Sequence, residues 1–192
     1  MDGLPLLAAP LSSGNRMTTQ PKHNILADRA TDLLRDAEPL VNCYIAGEIK
    51  IETNETWDKE VVLENCVVEY FSGSVTHFEK PVRFINCQFK KCQFVSTYFF
   101  GGLTIDNCIF DDYLDFQAGG HNKTRKPVVI TNNQFADFVN FFDCWYESEV
   151  IIESNNFQKG TNLLGKPFDI PVTFDVAPVI KNNQGQLDLN TE

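Results

Sequence analysis

The 192-residue chain predicts an all-β right-handed parallel β-helix of about seven coils with a short N-terminal capping helix. Three observations carry that expectation. An eight-residue motif recurs every 21–25 residues, apolar residues alternate within each copy, and the chain holds 16 Phe against 2 Met and 2 Trp. Alternation marks a strand buried on one face. One coil of this length cannot bury that face alone, so successive copies must stack. Apolar spacing of three and four, which a helical repeat would need, is absent, and parallel crossovers are overwhelmingly right-handed.

The copies begin at Val61, Val82, Leu103, Val128 and Val150, with a degraded sixth at Val172, so the starts are 21, 21, 25, 22 and 22 residues apart. A fainter copy surrounds Asn42-Cys43-Tyr44-Ile45. The first and third positions of each motif (Val61 and Leu63, then Val82 and Phe84, and so on) are expected to point inward. An Asn then marks a bend (Asn65, Asn86, Asn107, Asn132), where its side chain tolerates left-handed backbone. The next position is small: Cys66, Cys87 and Cys108, giving way to Asn133 and Asn155. Two residues later an interior ladder of Phe89, Phe110, Phe135 and Phe157 is expected, with a second ladder of Phe78, Phe99 and Trp145.

Between residues 82 and 99 a small residue followed by an aromatic recurs every five positions: Val82-x-Phe84, Cys87-x-Phe89, Cys92-x-Phe94, Thr97-x-Phe99. This resembles the pentapeptide-repeat family in divergent form. The resemblance implies a square right-handed β-helix of about twenty residues per coil. It also implies one possible role, since some members are acidic dimeric rods that mimic duplex DNA and bind topoisomerases.

Element by element, residues 1–23 read as a leader without a basic region, with Met17 an alternative start. Residues 24–38 read as a capping helix, from the spacing of Ile25, Leu26, Ala30, Leu33, Leu34 and Ala37 and the stop at Pro39. Residues 39–180 form the β-helix and 181–192 a polar tail. The longest coil carries an insertion from Gly119 to Pro127. Its His121, Lys123, Arg125 and Lys126 form the one basic cluster on an acidic chain. The six cysteines fall mostly on the repeat, which favours buried free thiols and the cytoplasm over a disulfide framework.

A net charge of −10 argues against a sequence-independent phosphate binder, so no direct nucleic-acid contact is expected, and no apolar run is long enough for a membrane span. Neither a cofactor nor a metal is expected: His23, His77 and His121 look far apart in the coil register, and phosphate-loop, CxxC and nucleophile-elbow patterns are missing. Asp111, Asp112, Asp115, Asp137 and Asp143 could fall on neighbouring coils, which keeps open a small carbohydrate-active enzyme using paired carboxylates. Corner charges alternate from Glu69 to Lys90 and Lys91 to Asp111 and Asp112, as stacked neighbours of opposite sign would. Val62, Ile85, Val129 and Ile151 stand at positions that should face water, an apolar strip awaiting either the chain's own N-terminal segment or a second protomer. The leading expectation is a non-enzymatic scaffold or protein-interaction module whose partner is another protein or, in a homodimer, a second copy. The acidic DNA mimic and the carbohydrate-active enzyme are its alternatives.

Overall fold

The computed structural model describes residues 21–51 and 56–191. In it the motifs wind into a right-handed parallel β-solenoid of about six turns. Each coil has four short faces. The first face is a seven-stranded parallel sheet of Leu40–Val41, Val61–Glu64, Val82–Ile85, Leu103–Asp106, Val128–Thr131, Val150–Glu153 and Val179–Lys181. The second is formed by Gln88–Phe89, Ile109–Phe110, Gln134–Phe135 and Asn156–Phe157, and the third by Cys92–Gln93, Leu114–Asp115 and Val139–Asn140. In the early coils the strands Cys43–Lys50 and Val67–Ser72 run unbroken across both. On the fourth face Thr56–Trp57 pairs with His77–Phe78, and single bridges then link His77 to Tyr98, Tyr98 to Gly120 and Gly120 to Trp145.

The corner between first and second faces repeats without exception in the described coils. Asn42, Asn65, Asn86, Asn107, Asn132, Ser154 and Asn182 all hold φ between 52° and 59°. Asn accepts this left-handed conformation more readily than residues with larger or branched side chains. The side chains also bond along the column: Asn86 donates to Asn65 (3.2 Å) and Asn107 to Asn86 (2.7 Å). Behind the corner Cys66, Cys87 and Cys108 lie buried in one file with Asn133 and Asn155. The Cys66 N–H donates to Cys87 Sγ (3.4 Å), whereas the Cys108 N–H donates to Asn133 Oδ1 (2.8 Å). Asn133 also donates to the Ile105 carbonyl, Asn155 to Ile130 and Asn183 to Ile152. Cys on the earlier coils and Asn on the later ones therefore serve one role, filling a tight corner while satisfying backbone groups.

The core follows from this register. Phe89, Phe110, Phe135 and Phe157 stack at 5.0, 5.1 and 4.8 Å between ring centroids. Phe94, Phe116 and Phe141 form another column at 5.4 and 5.1 Å. The remaining ladder departs from expectation. Phe78 and Phe99 do stack (6.0 Å), but Trp145 is 44% exposed and Tyr146 takes the interior position, stacking on Phe174 at 5.6 Å. The insertion at 119–127 shifts the phase, so that counting from the preceding coil selects the wrong neighbour.

The N-terminal end is capped, though the helix is shorter than its apolar spacing predicts. His23–Leu26 first pairs as a parallel strand with Cys43–Ala46, and the helix then runs Ala27–Arg35. The top coil offers an unpaired strand edge, and backbone pairing along it outweighs one extra helical turn. The helix buries Ala27, Ala30, Thr31 and Leu34 and ends in a left-handed Ala37, with the Glu38 N–H bonded to the Leu33 carbonyl. The leader expected before it falls largely on residues 1–20, outside the described residues. At the other end Leu187 packs against the core, and the Leu189 N–H donates to the Thr161 carbonyl.

Phe110 lies between two stacked rings and is 1% exposed, so Phe110→Ala opens a cavity that neighbouring coils cannot close. Denaturant titration is expected to show a loss of about 3–5 kcal/mol. A loss below about 1 kcal/mol would mean that the ring is not interior.

Candidate interaction surfaces

The aspartates named as a possible catalytic group have separate structural partners. Asp111 accepts from Gln88 Nε2 (2.8 Å), and Asp112 from the Tyr113 N–H (2.9 Å). Asp115, nearly buried, accepts from the Gln117 N–H (3.0 Å) and from Asn140 Nδ2 (3.1 Å). Asp137 pairs with Lys159 (2.8 Å), which together with the Phe138 N–H holds its carboxyl below the ordinary range. Asp143 is exposed at a left-handed corner. Among the described residues no three His, Cys, Asp or Glu side chains gather as a metal cage would need. All six cysteines are free and buried. Burial pushes the Cys87 and Cys92 thiols up, and Cys144 up to about 12, which disfavours the thiolate that nucleophilic or redox chemistry requires.

Ion pairs run from coil to coil down the surface: Glu60–Arg83 (2.8 Å), Glu69–Lys90 (3.2 Å), Glu79–Lys123 (2.8 Å) and Glu153–Lys181 (3.3 Å). They interrupt any continuous negative stripe. Glu69 is the most heavily bonded carboxylate of the set. The Tyr44 hydroxyl (2.6 Å), the Gly47 N–H (2.8 Å) and Lys90 all donate to it and lower its pKa to about 2.

On the first face the register divides the four outward apolar residues between two columns. Val62, Arg83, Thr104, Val129, Ile151 and Val179 form one, and Glu64, Ile85, Asp106, Thr131, Glu153 and Lys181 the other. Val129, Ile151 and Val179 are therefore apolar neighbours on three consecutive coils. Val62 is separated from them by Arg83 and Thr104, and Ile85 stands between Glu64 and Asp106. Val129 and Ile151 are half-buried and Val179 is exposed. Residues 21–38 pair and pack at the N-terminal end, against Cys43–Lys50 and Leu40–Val41, and leave this column open.

The fourth face holds an arrangement that reading the sequence missed. His77 and His121, expected to be remote, flank Tyr98 on one surface, with centroids 4.5 and 4.2 Å from its ring. His121 also reaches Trp145 (5.3 Å). The cause lies in the insertion. Gly120 occupies the register position between Tyr98 and Trp145, where a Cβ would come within 2.4 Å of the Trp145 carbonyl oxygen. Only glycine fits, and the left-handed His121 turns its ring into the space beside it. Of the basic cluster, His121 meets Glu147 (3.3 Å), and Lys123 bridges to Glu79 while lying 4.2 Å over the Phe100 ring. Arg125 and Lys126 remain exposed. The loop is pinned by buried Asn122, which donates to the Lys126 and Glu149 carbonyls. A usable signal existed: in three coils a ring-bearing residue directly precedes the inward aromatic, in His77-Phe78, Tyr98-Phe99 and Trp145-Tyr146.

No helix among the described residues is long and apolar enough to cross a membrane. Compared with known proteins, the chain matches no family model, no curated protein sequence and no solved structure.

The depressed Glu69 pKa has a sign. A carboxyl lowered in the folded state stabilises the protein above its unfolded value of 4.5, and that contribution is lost as pH falls toward 2. Melting curves of wild type and Glu69→Gln across that window are expected to converge as pH drops. Curves that stay parallel would show that the Tyr44–Glu69–Lys90 cluster contributes nothing to folding.

Proposed function

We propose that this chain is a non-enzymatic β-helical scaffold that acts as a protein-interaction module and self-associates through its first face. The observation that carries this reading is the column of Val129, Ile151 and Val179 on consecutive coils, which the described N-terminal residues 21–38 leave open. Two columns related by a twofold axis each bury the same patch, and the neighbouring Thr104 and Arg83 supply a polar rim. The five-residue phase from Val82 to Phe99 supports a distant relationship to pentapeptide-repeat proteins. Six buried, unpaired cysteines support residence in a reducing compartment such as the cytoplasm. Binding sites on such a scaffold lie on outward columns, because every inward position is taken by packing.

Light scattering at low micromolar concentration tests the reading. Wild type is expected to be a dimer, and Val129→Glu with Ile151→Lys a folded monomer. A wild-type protein that stays monomeric, or a variant that stays dimeric, would rule out self-association through this face.

A further inference from the structure

We propose that the file of cysteines behind the first corner binds a thiophilic metal ion of low coordination number, copper(I), held in line between thiols of successive coils. Cys43, Cys66, Cys87 and Cys108 stand at equivalent places on four consecutive coils, each directly after a left-handed Asn. Their thiols are not isolated from one another. Cys43 lies within hydrogen-bonding reach of Cys66, Cys66 of Cys87, and Cys87 of Cys108. The repeated corner therefore sets sulfur over sulfur inside the column.

Spacing and shape select the ion. Two metal–thiolate bonds of about 2.3 Å in line span about 4.6 Å. Neighbouring strands of a sheet stand about 4.8 Å apart, so one ion fits between two thiols with little movement of either coil. One sulfur per coil, in a straight file, offers two ligands on opposite sides of an ion. That is the arrangement of digonal copper(I), and soft thiolates favour it over hard cations. Tetrahedral zinc needs four ligands around one point, and among the described residues no three metal-binding side chains gather.

Cys87 and Cys108 form the best-prepared pair. Each sulfur already accepts a backbone N–H, from Cys66 and Cys87 respectively, both at 3.4 Å. Such donors stabilise the negative charge that a bis-thiolate copper(I) centre carries. As two copper–sulfur bonds form, two thiol protons leave to solvent, so affinity rises with pH. At the N-terminal end of the file Cys43 is the least buried of the four (8%), with the exposed His23 paired in register above it. Exchange from thiol to thiol carries the ion inward from there. Cys92 and Cys144 are also buried but lie elsewhere in the core.

The test titrates the reduced full chain, without oxygen, with copper(I) in the presence of bicinchoninate, whose purple complex fades as copper is withdrawn. Wild type is expected to withdraw copper(I) saturably, more strongly as pH is raised, and to retain no zinc. X-ray absorption of the loaded protein is expected to show two sulfur neighbours per copper. Cys66→Asn with Cys87→Asn leaves no neighbouring thiols, and Asn suits the position because Asn133 and Asn155 fill it on later coils. A loss of affinity of about tenfold or more is expected for that variant. Cys92→Ser with Cys144→Ser is expected to bind as wild type does. Circular dichroism checks that both variants and the loaded protein stay folded. No withdrawal of copper(I), nitrogen or oxygen neighbours in place of sulfur, undiminished binding by the Asn variant, an equal loss in the Ser variant, or binding only as the fold is lost would overturn the proposal.

Discussion

The corner at which each coil leaves its first strand governs the rest of the molecule. There the chain adopts left-handed backbone once per turn, at Asn42, Asn65, Asn86, Asn107, Asn132, Ser154 and Asn182. Because the turn is the same each time, each strand returns onto its counterpart and like residues meet. Phenylalanine stacks on phenylalanine, the small Cys or Asn falls where two faces converge, and Asn amides bond along the column. The core is made of repeated, mutually supporting contacts, in which each coil is stabilised mainly by its neighbours.

Like-on-like stacking also organises the surface. Outward residues form columns as regular as the inward ones, so a preference at one position becomes a stripe several coils long. At several positions neighbouring coils place opposite charges together and close them into ion pairs such as Glu69–Lys90 and Asp137–Lys159. Elsewhere a stripe becomes apolar or aromatic: Val129–Ile151–Val179 on the first face, and His77–Tyr98–Trp145 on the fourth, with the His121 ring filling in beside Gly120. Those exceptions are the outward stripes that ion pairing does not close.

Much of the fold was legible because period and chemistry coincide. The Asn-Cys corner and the ladder from Phe89 to Phe157 could be read directly, since each residue's environment repeats at the spacing of the motif. Legibility failed where the period changed. The 25-residue coil is three or four residues longer than its neighbours, with the excess in the 119–127 loop, and past it the choice between Trp145 and Tyr146 depends on how the excess is absorbed. That question is settled by Gly120, whose missing side chain lets the backbone close. The same phase shift hid the pairing of His77 and His121 around Tyr98, which is a property of three coils at once. The outward apolar residues divide into two columns because Val62 stands second and Ile85 fourth in their copies of the motif, two positions that share a face without sharing a column.

The central claim is that the corners hold successive coils in one register. Nuclear Overhauser contacts between phenylalanine rings, recorded on protein labelled only at phenylalanine, test it most directly. The account predicts ring contacts of Phe110 with both Phe89 and Phe135, and of Phe135 with Phe157, with none between Phe89 and Phe135. Direct contact between Phe89 and Phe135, or no contact between Phe110 and either neighbour, would contradict it.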